Sequence, residues 1–174
     1  MRDTKDPHPP FDLEAFLPYL LNQAAETTGK SFGQIYRAEY GMTRTQWRVM
    51  ANLGKFGAMS AAEICRISHT EKTKVSRAVA ALEAMGFLQR HRSAHDRRRE
   101  DLSLTEAGRD AFAALGRSAL DYDRGLRDHL GPEAARVLES ALRALIVGTQ
   151  DPARDGGMTA RAEPGDNAPR GCEK

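Results

Sequence analysis

Cysteine is scarce in this chain: Cys65 and Cys172 are the only two among 174 residues. One lies among apolar residues of a helical stretch and the other in a tail, so no disulfide framework is expected. Long apolar runs are missing as well, since none approaches the roughly 20 residues needed to span a bilayer. The first residues, Met1-Arg2-Asp3-Thr4-Lys5-Asp6, are polar and lead into prolines, without the apolar core of a signal peptide. No membrane partner and a cytoplasmic location are the expectations. A Gly-rich phosphate loop, a nucleophile elbow and a zinc-protease helix are all lacking, and no internal repeat occurs. No enzyme activity, cofactor or metal is therefore expected. The nearest thing to a ligand set is His91, His95 and Asp96. Their spacing on a hairpin does not ensure convergence, and the arginines around them disfavour a cation.

What is present is enough apolar material for one domain with a real core, with 40% hydrophobic and 29% charged residues. The net charge of +2 conceals an uneven distribution. Between His69 and Arg99 eight lysines and arginines face three acids, so that segment carries +5 and the remainder −3. A cationic patch on an otherwise slightly acidic chain is an electrostatic footprint for nucleic acid. The bland alternative is a basic hairpin that is merely well solvated.

The patch coincides with a recognisable arrangement from Ser60 to Thr105. Ser60-Ala61-Ala62-Glu63 has the spacing of a capping box, opening a short helix to about Ser68. Ser68-His69-Thr70 is a polar break that supplies a second cap. The next helix is predicted from Glu71 to about Met85 and stops at Gly86. Two helices joined by a tight polar turn form a helix-turn-helix. Val75, Ala78, Val79 and Leu82 recur at helical spacing and are predicted to be buried, whereas Lys72, Thr73, Lys74, Ser76 and Arg77 are polar or cationic and crowd the first two turns. Phe87 to Arg92 reads as a strand, Ser93 to Arg99 as a turn and Glu100 to Leu104 as the returning strand. Thr105-Glu106 would cap the following helix.

Asp96-Arg97-Arg98 followed by Leu102-Ser103-Leu104-Thr105 resembles the wing signature of the multiple antibiotic resistance regulator (MarR) family. Lys74-Val75-Ser76-Arg77, then Leu82-Glu83 and Gly86-Phe87-Leu88, is similar to that family's recognition helix and its exit into the wing. The resemblance extends over about residues 13–145. It implies a mainly α fold with a small β-hairpin wing, a winged helix-turn-helix that forms a two-fold homodimer through its N- and C-terminal helices. It also implies a sequence-specific transcriptional regulator, a repressor by default, on double-stranded DNA with a pseudo-palindromic operator. By the resemblance, Thr73, Lys74 and Arg77 would meet base edges while Lys72 and Ser76 hold phosphates. Thr70 would only cap the helix. Arg98 takes the family's minor-groove position, Arg97 and Arg99 reach phosphates, and Asp96 braces the hairpin tip. With three arginines in a row, the register along that tip is open by one residue. The family's effector pocket puts Phe32, Tyr36, Arg44, Trp47 and Met50 forward as ligand-binding candidates, with Arg44 as an anion partner; ordinary core packing accounts for the same residues. An aromatic carboxylate or an acyl thioester would suit such a pocket. Two alternatives stand beside this reading. One is a low-specificity architectural DNA-binding protein; the other is a redox-sensing regulator using Cys65, although no cysteine lies in the N-terminal helix where the family's sensor thiol is familiar.

Along the chain, residues 1–10 contain Pro7, Pro9 and Pro10 and read as a flexible arm. Leu13, Phe16, Leu17, Leu20, Leu21, Ala24 and Ala25 step by threes and fours, and Phe32, Ile35 and Tyr36 resume the stripe, which predicts a long helix to about Glu39 with Gly29 as a tolerated weak point. Thr43-Arg44-Thr45-Gln46 opens a second helix with Trp47, Met50 and Leu53 on its apolar face. From Thr105 a helix carries Phe112, Leu115, Ala119, Tyr122, Leu126 and Leu130 until Gly131-Pro132, and a last helix carries Leu138, Ala141, Leu142 and Leu145. Residues 149–174 lack periodicity and read as a disordered tail. The division expected is a single domain over 11–148, with a DNA-binding lobe at 41–104 and dimerisation helices at 11–40 and 105–148. Those outer stripes exceed what a small winged core covers, so they call for a second copy; a monomer that folds them over its own core is the alternative.

Overall fold

The structure is a computed structural model that describes residues 11–92 and 100–148. The expected N-terminal arm, the tip of the hairpin and the C-terminal tail, with Cys172, lie outside the described residues. Among the described residues six helices and one hairpin follow in order: α1 (Leu17–Tyr40), α2 (Arg44–Phe56), α3 (Ala61–Ser68), α4 (Lys72–Ala84), β1 (Leu88–Arg92), β2 (Glu100–Leu104), α5 (Glu106–Leu130) and α6 (Pro132–Gly148). They form the mainly helical winged helix-turn-helix that the residue pattern predicts. Two compact units divide the chain, Met1–Arg124 and Gly125–Lys174.

Helix α1 begins later than its apolar stripe. Leu13 to Phe16 form a turn, in which Asp12 Oδ1 accepts the Glu14 and Ala15 N–H groups at 3.0 and 3.4 Å. The reason is Pro18. It sits in the first turn of α1, where its missing N–H costs nothing; a helix begun at Leu13 would place it in the interior, without a donor and clashing with the preceding turn. At the other end Gly41 adopts the left-handed conformation with φ 64°, and its N–H donates to the Arg37 carbonyl.

Helices α2 and α3 each start with a complete capping box. Thr43 Oγ1 accepts from the Gln46 N–H while Gln46 Oε1 accepts from the Thr43 N–H at 2.6 Å. Ser60 Oγ accepts from the Glu63 N–H, and Glu63 Oε2 accepts from the Ser60 N–H at 2.8 Å. Ser60 is itself buried. Ser60→Ala should therefore cost about 1 kcal/mol of stability, read as a lower denaturant midpoint at unchanged slope; an unchanged midpoint would show that the box contributes nothing here.

The second cap in the polar break does not form. Helix α4 has Glu71 at its N-cap, with no side-chain capping bond. Thr70 Oγ1 instead donates to the Ser68 carbonyl at 3.1 Å, and Ser68 Oγ donates to the Ile64 carbonyl at 2.6 Å. Both hydroxyls are spent on closing α3, because His69 turns the chain through a left-handed φ of 48° and leaves those carbonyls nearest.

The core of the first unit joins α1 to α5 and the hairpin. Met42, Met50, Ile64, Val75, Leu82 and Leu115 are fully buried, with Leu88, Leu102 and Leu104 from the hairpin beside them. The strands pair antiparallel, Leu88 opposite Leu104 and Arg92 opposite Glu100. Met59 adds a one-residue bridge to Leu102, exchanging both backbone hydrogen bonds at 2.9 and 3.1 Å. A single residue has no period, so the sequence pattern gave no sign of it. Cys65 is a free thiol, half-buried against the core.

At the exit of the wing, Thr105 Oγ1 accepts the Gly108 N–H at 3.0 Å and donates to the Gly86 carbonyl at 2.6 Å. The N–H of Thr105 also reaches the Phe87 carbonyl at 3.1 Å. One side chain thus caps α5 and ties it to the end of α4.

Candidate nucleic-acid interface

Helix α4 presents two faces. Val75, Ala78, Val79 and Leu82 are buried, which fixes its rotation about its own axis. Rotation settled in this way leaves Lys72, Thr73, Lys74, Ser76 and Arg77 all exposed at its N-terminal end. Lys74 Nζ pairs with Glu71 Oε2 at 3.3 Å, both groups being well exposed. Such a pair is weak and readily exchanged for another anion. Neither Lys72 nor Arg77 forms an ion pair among the described residues. Exposed hydroxyls and cations on the first turns of a helix offer donors both to base edges and to phosphates.

The hairpin stem leaves the end of α4. Arg90, on β1, directs Nε to Glu83 Oε2 of α4 at 3.0 Å and Nη1 to Glu100 Oε2 of β2 at 3.3 Å. The Glu83 hydrogen bond, helped by Glu100 and opposed by slight burial, raises the Arg90 pKa above its ordinary value. Asp96, Arg97, Arg98 and Arg99 lie outside the described residues, as does His95. Among the described residues no cluster of His, Cys, Asp or Glu could hold a metal ion.

The ligand candidates Phe32, Tyr36 and Trp47 form one aromatic cluster. Met50 is fully buried in the core. Phe32 and Trp47 stack edge-on at 5.6 Å between ring centres, and Trp47 lies 6.4 Å from Phe112. Phe32 and Trp47 are half-buried against that core. Tyr36 is buried in the core and stacks on Trp47 at 6.1 Å, and with Arg44, Glu26, Lys30 and Arg37 it also lines a groove of about 360 Å³ along α1. Burial raises the Tyr36 phenol above its ordinary pKa, while Arg44, Arg37 and Arg48 pull it back. Arg44 Nη1 pairs with Glu26 Oε1 at 2.7 Å, and Nη2 donates to the Ala25 carbonyl at 3.4 Å. The Arg44 guanidinium passes directly over Gly29, where a Cβ would stand 2.9 Å from Nη2 and the side-chain tip would have to shift. Residues Glu26 and Arg44 also line a second, smaller hollow with Arg48, His69, Thr70 and Lys74 at the start of α4.

A buried-faced helix with an exposed cationic start, followed by a hairpin anchored to its end, defines a winged helix-turn-helix DNA-binding protein. Residues 40–99 match the family model described as MarR family. A MarR family transcriptional regulator of Silicibacter pomeroyi DSS-3 superimposes with a TM-score of 0.70 at 28% identity, over 81% of this chain and 99% of that one. BpsR of Bordetella bronchiseptica, whose DNA binding is regulated by 6-hydroxynicotinic acid, superimposes at 0.69 with 21% identity, over 79% and 97%. NadR, solved in complex with 4-hydroxyphenylacetate, superimposes at 0.66 with 22% identity, over 79% and 97%. Among curated proteins no sequence matches. Over residues 40–99 this chain is similar to the MarR family, and its fold is that of the MarR-family transcriptional regulators it superimposes on. No helix among the described residues is long and apolar enough to cross a membrane.

Proposed function

We propose that the protein is a homodimeric, ligand-released repressor that reads a pseudo-palindromic operator. The observation that carries this is the exposed start of α4, where five donor-bearing side chains stand over a fully buried apolar face. Thr73, Lys74 and Arg77 meet base edges in the major groove, and Lys72 and Ser76 hold phosphates on either side. Arg98 enters the adjacent minor groove, Arg97 and Arg99 reach phosphates, and Asp96 braces the tip.

Support for the dimer comes from apolar side chains left in water. In the first unit Phe11, Leu13, Phe16, Leu17 and Leu20 are exposed; in the second, Val137, Leu138, Leu142, Leu145, Ile146 and Val147 are. Surfaces of this kind mark an interface. A two-fold pair of winged lobes would set its recognition helices about 34–36 Å apart, one turn of DNA.

An anionic aromatic ligand fits the groove along α1. Arg44, Lys30 and Arg37 supply positive charge and Tyr36 a phenol, and its volume is in the range of small-molecule sites. The molecules named with BpsR and NadR are both hydroxylated aromatic carboxylates, which supports that class over a thioester. Such a ligand releases DNA only to the extent that it prefers the non-binding geometry. Repression follows because a dimer seated on a promoter blocks polymerase with no activating surface needed.

The test is competition between a palindrome selected from genomic fragments and random duplex, at fixed salt. A regulator holds its operator by at least about a thousandfold over random sequence, as a dimer in solution. Equal affinity for both would make it an architectural protein instead.

A further inference from the structure

We infer that Arg90 is a positioning residue for DNA binding, its forked guanidinium locking the angle between the hairpin and the recognition helix. The inference rests on the proposed entry of the wing into a minor groove.

Three observations converge on it. Strand alternation puts Leu88, Arg90 and Arg92 on one side of β1, and Leu88 on that side is buried in the core. Arg90 therefore extends the inward face of the hairpin, at the point where that face leaves the core and crosses α4. Its two contacts then go to different elements: Nε to Glu83 on the recognition helix, Nη1 to Glu100 on the opposite strand. A planar fork that meets two carboxylates in different directions restrains an angle, which a lysine ammonium does not do. Finally, all three side chains are more than a third exposed. Ion pairs this wet add little to folding stability, so the geometry of the clamp is worth more to the direction of the hairpin than to the fold. The hairpin stem has no other charged tie to α4 among the described residues.

The clamp carries a sign that simple electrostatics does not. Glu83 repels the DNA backbone wherever it lies near it, so Glu83→Gln should tighten binding to every duplex if charge alone matters. If Glu83 holds Arg90, the same change loosens the hairpin and costs discrimination between operators flanked by A·T and by G·C pairs. Affinity for both operators is measured for the full-length wild-type protein, Glu83→Gln, Arg90→Lys and Arg98→Ala, with hydroxyl-radical footprints of the flanking minor groove and a thermal melt of each variant. The expected result is an unchanged melting temperature, a discrimination ratio reduced about threefold in both Glu83→Gln and Arg90→Lys, and weaker flanking protection. Arg90→Lys keeps the charge, so its failure to restore the ratio isolates the fork. A wild-type protein without flank discrimination, matched by Arg98→Ala, would overturn the wing reading and the clamp with it. Discrimination that is present in the wild type and undiminished in both clamp variants would overturn the clamp alone.

Discussion

Gly108→Ala should cripple the fold, although residue propensity points the other way. Gly108 lies in the first turn of α5, where alanine ordinarily stabilises a helix by about 1 kcal/mol. A Cβ at this position, however, would stand 2.0 Å from the Phe87 carbonyl oxygen and 2.9 Å from its carbon. Both are backbone atoms, and a rotamer change cannot relieve them. Moving the Phe87 carbonyl breaks its bond from the Thr105 N–H. Moving Gly108 breaks the cap from Thr105, which also holds the Gly86 carbonyl. Either way the joint between α4, the wing and α5 opens. The cost should exceed about 3 kcal/mol, above the usual range for overpacking, and DNA binding should fall with it because the hairpin hangs from this joint. Denaturant unfolding checks it: a variant as stable as the wild type, or more so, would mean that the approach of α5 to Phe87 is misplaced.

Arg77→Ala should leave the fold intact and weaken the operator selectively. Its side chain is exposed, while Ala78 and Val79 next to it hold the helix down. A two-donor contact to a guanine edge is worth about 1–3 kcal/mol, roughly a 5- to 150-fold loss at each half-site. Random duplex should lose far less, with the salt slope changing by no more than about one unit. Equal losses on operator and random DNA would assign Arg77 to a phosphate. The counterpart is Lys72→Ala, which should weaken all duplexes alike.

Most of the local architecture was legible from residues a few positions apart. The Thr43–Gln46 and Ser60–Glu63 boxes and the glycines at 41 and 86 act within one turn of helix, so a linear pattern contains everything needed to place them. The split of α4 into Val75, Ala78, Val79 and Leu82 against Lys72, Thr73, Lys74, Ser76 and Arg77 is equally local, and the structure shows that division. Where local rules competed, the pattern misled. An apolar period from Leu13 met a proline at position 18, and the proline won. A hydroxyl at Thr70 had two possible carbonyl and amide partners, and the turn at His69 decided between them.

Contacts between distant positions were not legible. Arg44 reaches Glu26 across 18 residues, Thr105 reaches Gly86 across 19, and Tyr122 Oη donates to the Thr28 carbonyl across 94. Arg90 counted in the sequence only as one cation of a basic patch; its partners came from another helix and another strand. The ligand candidates show the same limit, because apolar spacing marks Phe32, Trp47 and Tyr36 alike, and only their packing buries Tyr36 in the core at the floor of a groove and leaves Phe32 and Trp47 half-buried against it.

By itself the order of residues determined which segments are helical, where they stop, and which flank of the fourth helix carries charge, because each depends on hydrogen bonds and burial periods that close within a few residues. Tertiary structure alone decided how the hairpin is tied to that helix, which glycines must stay bare, and which arginines are already engaged. Those outcomes depend on atoms brought together by the folding of the core, and no local spacing encodes them.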